Sequence, residues 1–401
     1  MEEYKKIDSS LKSILTLRYD HTIEPLLPKL SWNDFVEKNS INEVDAIETY
    51  LTKNIENELS KTKKIVVALS AGIDSSLMLA LVRKTLPDID ITAISVIFAE
   101  SFDESKDAQK LAEKFDADHK IVYVENYLAD LPKSIGIIKR PFWDLHWYTI
   151  VKEASNISDS LISGDGGDEL FGGYTFRYQK FLSLINPNSS PLEKIKAYLQ
   201  CHERDWVPDQ EKIFGKKIPF NWDEIYSSLY PYFDNQLPPL AQVYLADYNG
   251  KLLYNFSPVN TAFHKFFKMK SVTPLLTKDL ISYTSHMKYN LKYNVHDNLG
   301  KPLLRNLLHK YVPDFPRSDM KRGFSVDTVN LWKSYGYKLC DYYLTKSRIV
   351  SEGWINKEWI DAHLKKELDV RYVNKFLGLL AAEIWCRLFI TNEIKSDATL
   401  N

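Results

Sequence analysis

An α/β fold, a parallel sheet with helices on both faces followed by a mostly helical region, is what this sequence predicts. Three observations carry the prediction. Short β-branched runs alternate with helix-length amphipathic segments through the first part of the chain. Two strand ends run into loops rich in glycine, serine and acid. Beyond about residue 185, helical periodicity continues with few strand signals.

Residues 1–40 read as an extended N-terminal arm with little regular structure, since the pattern up to about Glu37 is irregular and prolines interrupt IEPLLPKLSW. Residues 41–185 form the α/β core. In INEVDAIETYLTKNIENELS, Val44, Ile47, Leu51 and Ile55 recur at spacings of three and four, the stripe of an amphipathic helix. KKIVVALS is a short strand, and the helix LMLALVRKTL follows it after a turn. DITAISVIFAE, SKDAQKLAEKFDA and DHKIVYVE repeat the alternation as strand, helix and strand. After the helix-like WYTIVKEASN comes DSLIS, another strand that ends in glycine and acid. Residues 186–401, with stretches such as PLEKIKAYLQ and KFLGLLAAEIWCRLFI, are the mostly helical remainder; without a linker or repeat, the two regions are expected to pack as one body.

Composition narrows the function classes. With 44% hydrophobic and 26% charged residues the chain is neither disordered nor membrane-like, and its 52 basic against 53 acidic residues give no sign of a nucleic-acid or anionic-membrane partner. Cys201, Cys340 and Cys386 are too few and too scattered for a disulfide framework or a CxxC zinc site. MEEYKKIDSS lacks an apolar targeting core, so cytoplasmic residence is the expected default.

Two loops carry the chemistry. Ser70-Ala71-Gly72-Ile73-Asp74-Ser75-Ser76 lies between a strand and a helix, where free amides and the helix dipole favour an anion and small residues let phosphate oxygens approach the main chain. Asp74 can join such a site only through a cation, for which magnesium is the natural choice. An ordinary capped βα turn stays open as a reading, whereas a Walker A loop is excluded by the missing GxxxxGK[ST]. Ser163-Gly164-Asp165-Gly166-Gly167-Asp168-Glu169 then crowds three carboxylates that repel unless a cation or proton offsets them. The alternating acids of an EF-hand are missing; a plain glycine turn remains the bland reading. Both loops fall at the carboxyl ends of predicted parallel strands, where open α/β sheets bind ligands.

SAGIDSS resembles the SGGxDS pyrophosphate loop of the N-type ATP pyrophosphatases, and SGDGGDELFGGY resembles the SG(E/D)GxDExFxGY segment of asparagine synthetases. KPLLRNLLHKYVPDFPRSDMKRGFSVD is similar to that family's K-x-x-L-R to K-x-G-F stretch. The resemblance, from about Asp45 to the early 330s, is to the synthetase domain of the asparagine synthetase family. It implies an adenine nucleotide alpha-hydrolase-like (PP-loop) fold. It departs in two places: Ala71 stands where glycine is usual, and Glu2 stands after Met1 where a glutaminase half would begin with cysteine.

The resemblance implies an AMP-forming amide synthetase using ATP and Mg2+, with asparagine biosynthesis as the simplest setting. By it, Asp74 and Asp168 share magnesium, while Ser70, Gly72, Ser75 and Ser76 cradle pyrophosphate. Leu69 with Val96 or Ile97 borders adenine through backbone contacts, and Ser163 and Gly164 lie beside the ribose and α-phosphate. Lys321 compensates charge at the α-phosphorus. Asp165 takes a proton from the incoming amine or orients substrate, Glu169 braces the loop, and Asp103 and Glu104 cap a helix. Pro141 and Asp144 in RPFWDLHW match a stretch near the substrate pocket, beside the unusual aromatics Trp143, His146 and Trp147. Without the glutaminase half the expected nitrogen source is free ammonia, an amine, or ammonia from a separate glutaminase subunit. Rival readings are an amidotransferase or cyclase acting on a natural-product or glycan carboxylate, and a nucleotide-binding regulatory protein without turnover.

Overall fold

In the computed structural model, which describes residues 2–39, 41–99, 101, 103–316 and 327–400, the apolar runs pair as β1 (Lys64–Ala68), β2 (Asp90–Phe98), β3 (Asp118–Val124) and β4 (Ser160–Ile162). All run parallel, and a further strand, β5 (Lys270–Val272), completes the order β3-β2-β1-β4-β5. Val67 sits at the centre of the register, opposite Ala93 on one side and Ile162 on the other. β5 comes from the region expected to be helical. Three residues long, it takes its register from β4, more than a hundred residues earlier, and shows no periodicity of its own.

Alternation along β1 divides the interior in two. Ile65 and Val67 join a core that includes Ile47, Leu51, Ile55 and Leu59 of α2 (Glu43–Leu59) and the inward face of α3 (Ile73–Thr85). Val66 and Ala68 point to the other face. There they meet α5 (Leu131–Ile138), α6 (His146–Ala154) and the long helix Val370–Phe389. Successive strand side chains point to opposite faces, so a strand apolar at every position must be covered on both. α4 (Ser105–Lys114) begins where Asp103 Oδ1 accepts the Ser105 amide at 2.8 Å.

The first arm departs from the expectation. α1 spans Glu2–Leu17, and Leu11, Ile14 and Leu15, at helical spacing, are buried in the same cluster as the helix Val370–Phe389. Pro25 and Pro28 lie beyond its end and do not interrupt it; Arg18, at φ 62°, turns the chain out of the helix before them. Among the described residues no helix is long and apolar enough to cross a membrane.

Candidate functional site

The first loop is closed by its own hydroxyls. Ser75, in the first turn of α3, donates its Oγ to the Ser70 carbonyl at 2.8 Å and accepts the Ser70 amide at 3.1 Å, while Ser76 Oγ donates to the Gly72 carbonyl at 2.7 Å. Ser70 Oγ accepts the Gly72 amide at 3.2 Å. The hydroxyls expected to cradle an anion therefore also shape the turn. Ala71 keeps out of the left-handed region, so its methyl adds no backbone strain.

The second loop begins where the Ser163 amide donates to the Val272 carbonyl at 3.1 Å, which extends the β4–β5 pairing by one residue. Gly166 has φ 90°, a conformation that disfavours side chains, and leads into α7 (Gly167–Phe171). The loops touch: a Cβ on Gly164 would lie 2.6 Å from the Cβ of Asp74. Glu169 is buried and its Oε1 accepts the Tyr174 hydroxyl at 2.5 Å, with the Arg177 guanidinium 4.1 Å from the Tyr174 ring centre. That ties the end of α7 to the chain after it, as bracing requires.

Asp74 and Asp168 meet at one cation. Lys301 Nζ pairs with Asp74 Oδ2 and lies 2.5 Å from Asp168 Oδ1, with the lysine side chain only 8% exposed. Both carboxylates hold the lysine well in its charged form. Lys301 is itself strained, at φ 57°, and stands just before the helix Pro302–His309. Its amide donates to the Phe171 carbonyl at 3.2 Å and the Lys292 carbonyl at 2.9 Å, which fixes the strained residue. In that helix Arg305, also buried, donates Nε to the Gly300 carbonyl at 2.9 Å; burial lowers its pKa, and the charge of Asp74 only partly opposes this. Lys301 heads KPLLR, so the sequence contains the signal; its bridging position depends on a backbone conformation that residue types do not announce.

Asp165 stands apart from that pair. Burial pushes its carboxyl up to about 7, helped by the charge of Asp74 and opposed by bonds from Ser163 and Asn260. Asn260 Nδ2 donates to Asp165 Oδ2 at 2.6 Å, and Asn260 Oδ1 accepts Ser271 Oγ at 3.0 Å. No motif marks Asn260 or Ser271. The raised value has a stability consequence. The folded state keeps a proton that an ordinary carboxyl, at 3.8, releases, so its stabilisation is complete below about pH 4 and is lost as pH rises through about 7. Asp165→Asn, which still offers an oxygen to Asn260, should therefore raise the thermal midpoint at pH 8 and leave it nearly unchanged at pH 4. The gain is at most about 4 kcal/mol, and midpoints that fail to diverge between the two pH values would refute it.

Other expected residues are less closely gathered. Leu69 and Val96 occupy neighbouring strand ends, and their side chains belong to opposite cores. Leu69 donates its amide to Ile94 at 2.9 Å and accepts Ser95 Oγ at 2.8 Å. Ile97 is half-buried at the end of the same strand as Val96. Lys321 lies outside the described residues.

The family described as asparagine synthase matches residues 46–387 of this chain. A putative glutamine-hydrolyzing asparagine synthetase of Mycobacterium tuberculosis (strain ATCC 25618 / H37Rv) is 29% identical over 163 residues, 39% of this chain and 25% of that protein. Asparagine synthetase [glutamine-hydrolyzing] 1 of Bacillus subtilis (strain 168) is 31% identical over 137 residues, 33% of this chain and 21% of that protein. The matched part thus spans a quarter or less of these relatives' length. Among solved structures, an NMN synthetase from Francisella tularensis aligns over 59% of this chain and 99% of its own at 15% identity, with a TM-score of 0.26.

Proposed function

Because the chain belongs to the asparagine synthase family, we propose that it is an ATP-dependent synthetase that joins a carboxylate to ammonia or an amine and splits ATP to AMP and pyrophosphate. The observation that carries this reading is the convergence of Asp74 and Asp168, from two strand ends, on the single ammonium of Lys301.

The two carboxylates offer only hard oxygen donors and already meet a compact cation, which fits magnesium completed by nucleotide phosphates. Asp74 and Asp168 would hold it, and when bound it supplies charge neutralisation at those phosphates. The chain's own groups do the rest. The amides of the first turn of α3 and the helix dipole receive the leaving pyrophosphate, and Lys301 balances the two carboxylates before and after. Lys321, by resemblance, offsets charge at the α-phosphorus. An oxygen of the substrate carboxylate attacks that phosphorus as its bond to pyrophosphate breaks; the nitrogen nucleophile then displaces AMP from the acyl carbon.

Asp165, with its carboxyl near neutrality, suits proton acceptance from that nitrogen. The second step then speeds up as pH rises through about 7. Incubation with ATP, magnesium, ammonium and a carboxylic acid, aspartate being the simplest, should give AMP and pyrophosphate in equal amounts. ADP as the nucleotide product would defeat the mechanism.

A further inference from the structure

Three segments far apart in the chain converge on the Asp165 carboxylate. Asp165 follows β4, Ser271 is the middle residue of β5, and Asn260 lies on the helix Ser257–Phe266. Neighbouring strand residues point to opposite faces, and Val272 belongs to the core of α2 and α3, so Ser271 points to the other face. Its register partner Leu161 is buried on that face together with Val259 and Phe263 of the helix. The sheet therefore aims the Ser271 hydroxyl at the helix that carries Asn260, and Ser271 Oγ donates to Asn260 Oδ1 at 3.0 Å.

That bond settles which end of the Asn260 amide faces Asp165. Oδ1 is taken by Ser271, so Nδ2 turns to Asp165 and donates to Oδ2 at 2.6 Å. A carboxylate accepts and cannot donate, which selects the same orientation. The main chain of Asn260 is held as well, since its carbonyl accepts Nδ1–H of His264 at 2.9 Å. Asn260 is buried, 4% exposed, whereas Asp165 is half-buried. Of the two, Asp165 keeps the exposure that meeting a reactant requires. With Oδ2 held, rotation of the carboxylate is restricted and the direction from which it accepts a proton is set. Burial opposes the charged form of Asp165, the form able to take a proton, and the bonds from Ser163 and Asn260 favour it.

We infer that Asn260, oriented by Ser271, is a positioning residue for amide formation: it holds the Asp165 carboxylate in line for the attacking nitrogen. The inference rests on the synthetase reading and deepens it at the second step. As the nitrogen bonds the acyl carbon, AMP leaves with the electron pair of the broken C–O bond, and one nitrogen proton passes to Asp165. Asn260 acts only through that carboxylate.

The test separates the two steps in the full chain. Aspartate-dependent exchange of labelled pyrophosphate into ATP, with magnesium and no nitrogen donor, reads the first. Amide formed on adding ammonium reads the second. Asn260→Leu, similar in volume but without a donor, should keep exchange within about threefold of the parent and slow amide formation about tenfold to a hundredfold, part of what a general base contributes. Ser271→Ala should slow amide formation about threefold to tenfold, and Ser271→Thr, which keeps a hydroxyl on a strand, should restore it. In Asp165→Asn, itself slow in the second step, Asn260→Leu should add less than about threefold, since a residue acting through another has nothing left to position. Thermal midpoints at pH 8, where Asp165 is charged, need no substrate. Asn260→Leu should lower the midpoint more in the parent, where it strips a donor from a carboxylate, than in Asp165→Asn, where it strips one from a neutral amide. Equal slowing of both steps, unchanged amide formation, additive losses or equal midpoint shifts would overturn the inference. A parent that exchanges no pyrophosphate would instead defeat the synthetase reading with aspartate; unequal midpoint shifts would then still support the hold on Asp165, and equal ones would overturn it.

Discussion

Asp74→Asn or Asp168→Asn should lower magnesium-dependent pyrophosphate release by about a hundred- to a thousandfold, the scale seen when one preorganised electrostatic group is removed from a reacting centre. Asparagine preserves shape and one oxygen but not the charge that makes the pair a clamp. The fold should survive each single change, because Lys301 contacts both carboxylates and keeps one charged partner when the other is neutralised. Pyrophosphate release and thermal melting, measured on the same preparations, separate the two effects. A rate within a few-fold of the parent would remove these residues from the reaction. A collapse of the melting transition in either single variant would show that the clamp is first of all structural. The double variant should differ from both: it leaves the buried Lys301 ammonium without its two partners, and breaking a buried pair in that way costs about 3–5 kcal/mol.

How much was legible depended on how local each signal is. Ile47, Leu51 and Ile55 announce α2 because burial and spacing lie in one stretch, and the apolar run of β1 announces a strand covered on both faces. The two glycine loops were readable for a related reason: Gly166 needs its left-handed backbone, and a side chain at Gly164 would strike Asp74, so composition there records contact. α1 was hidden by the attention its neighbouring prolines draw, although Leu11, Ile14 and Leu15 carry the helical spacing. β5 could not be read at all, since its residues become a strand only by pairing with β4. Asn260 is an unremarkable helix residue until the fold sets it beside Asp165. Lys301 lies between these cases, present in a recognisable stretch but aimed at the carboxylates by a positive φ that only coordinates reveal.

Lys301→Met should turn the same cluster into a reporter of its charge. Methionine can follow the lysine stem through the buried space but brings no ammonium, so Asp74 and Asp168 would face each other with their shared counter-charge removed. Two carboxylates that close cannot both ionise cheaply, and one should hold its proton to a higher pH. A carboxyl raised in the folded state stabilises fully below its unfolded value and loses that contribution as pH climbs through the folded one. The variant should therefore melt only slightly below the parent at pH 5 and well below it at pH 8, where the loss approaches the ~3–5 kcal/mol of an uncompensated buried charge. Arg305, whose pKa burial lowers against the pull of Asp74, does not replace a group that touches both acids. Millimolar magnesium at pH 8 should raise the midpoint of the variant more than that of the parent, because in the parent the ammonium already occupies the meeting point of the carboxylates. A deficit that is the same at both pH values and indifferent to magnesium would mean that Lys301 matters for packing rather than charge, and that the two aspartates do not form a cation site.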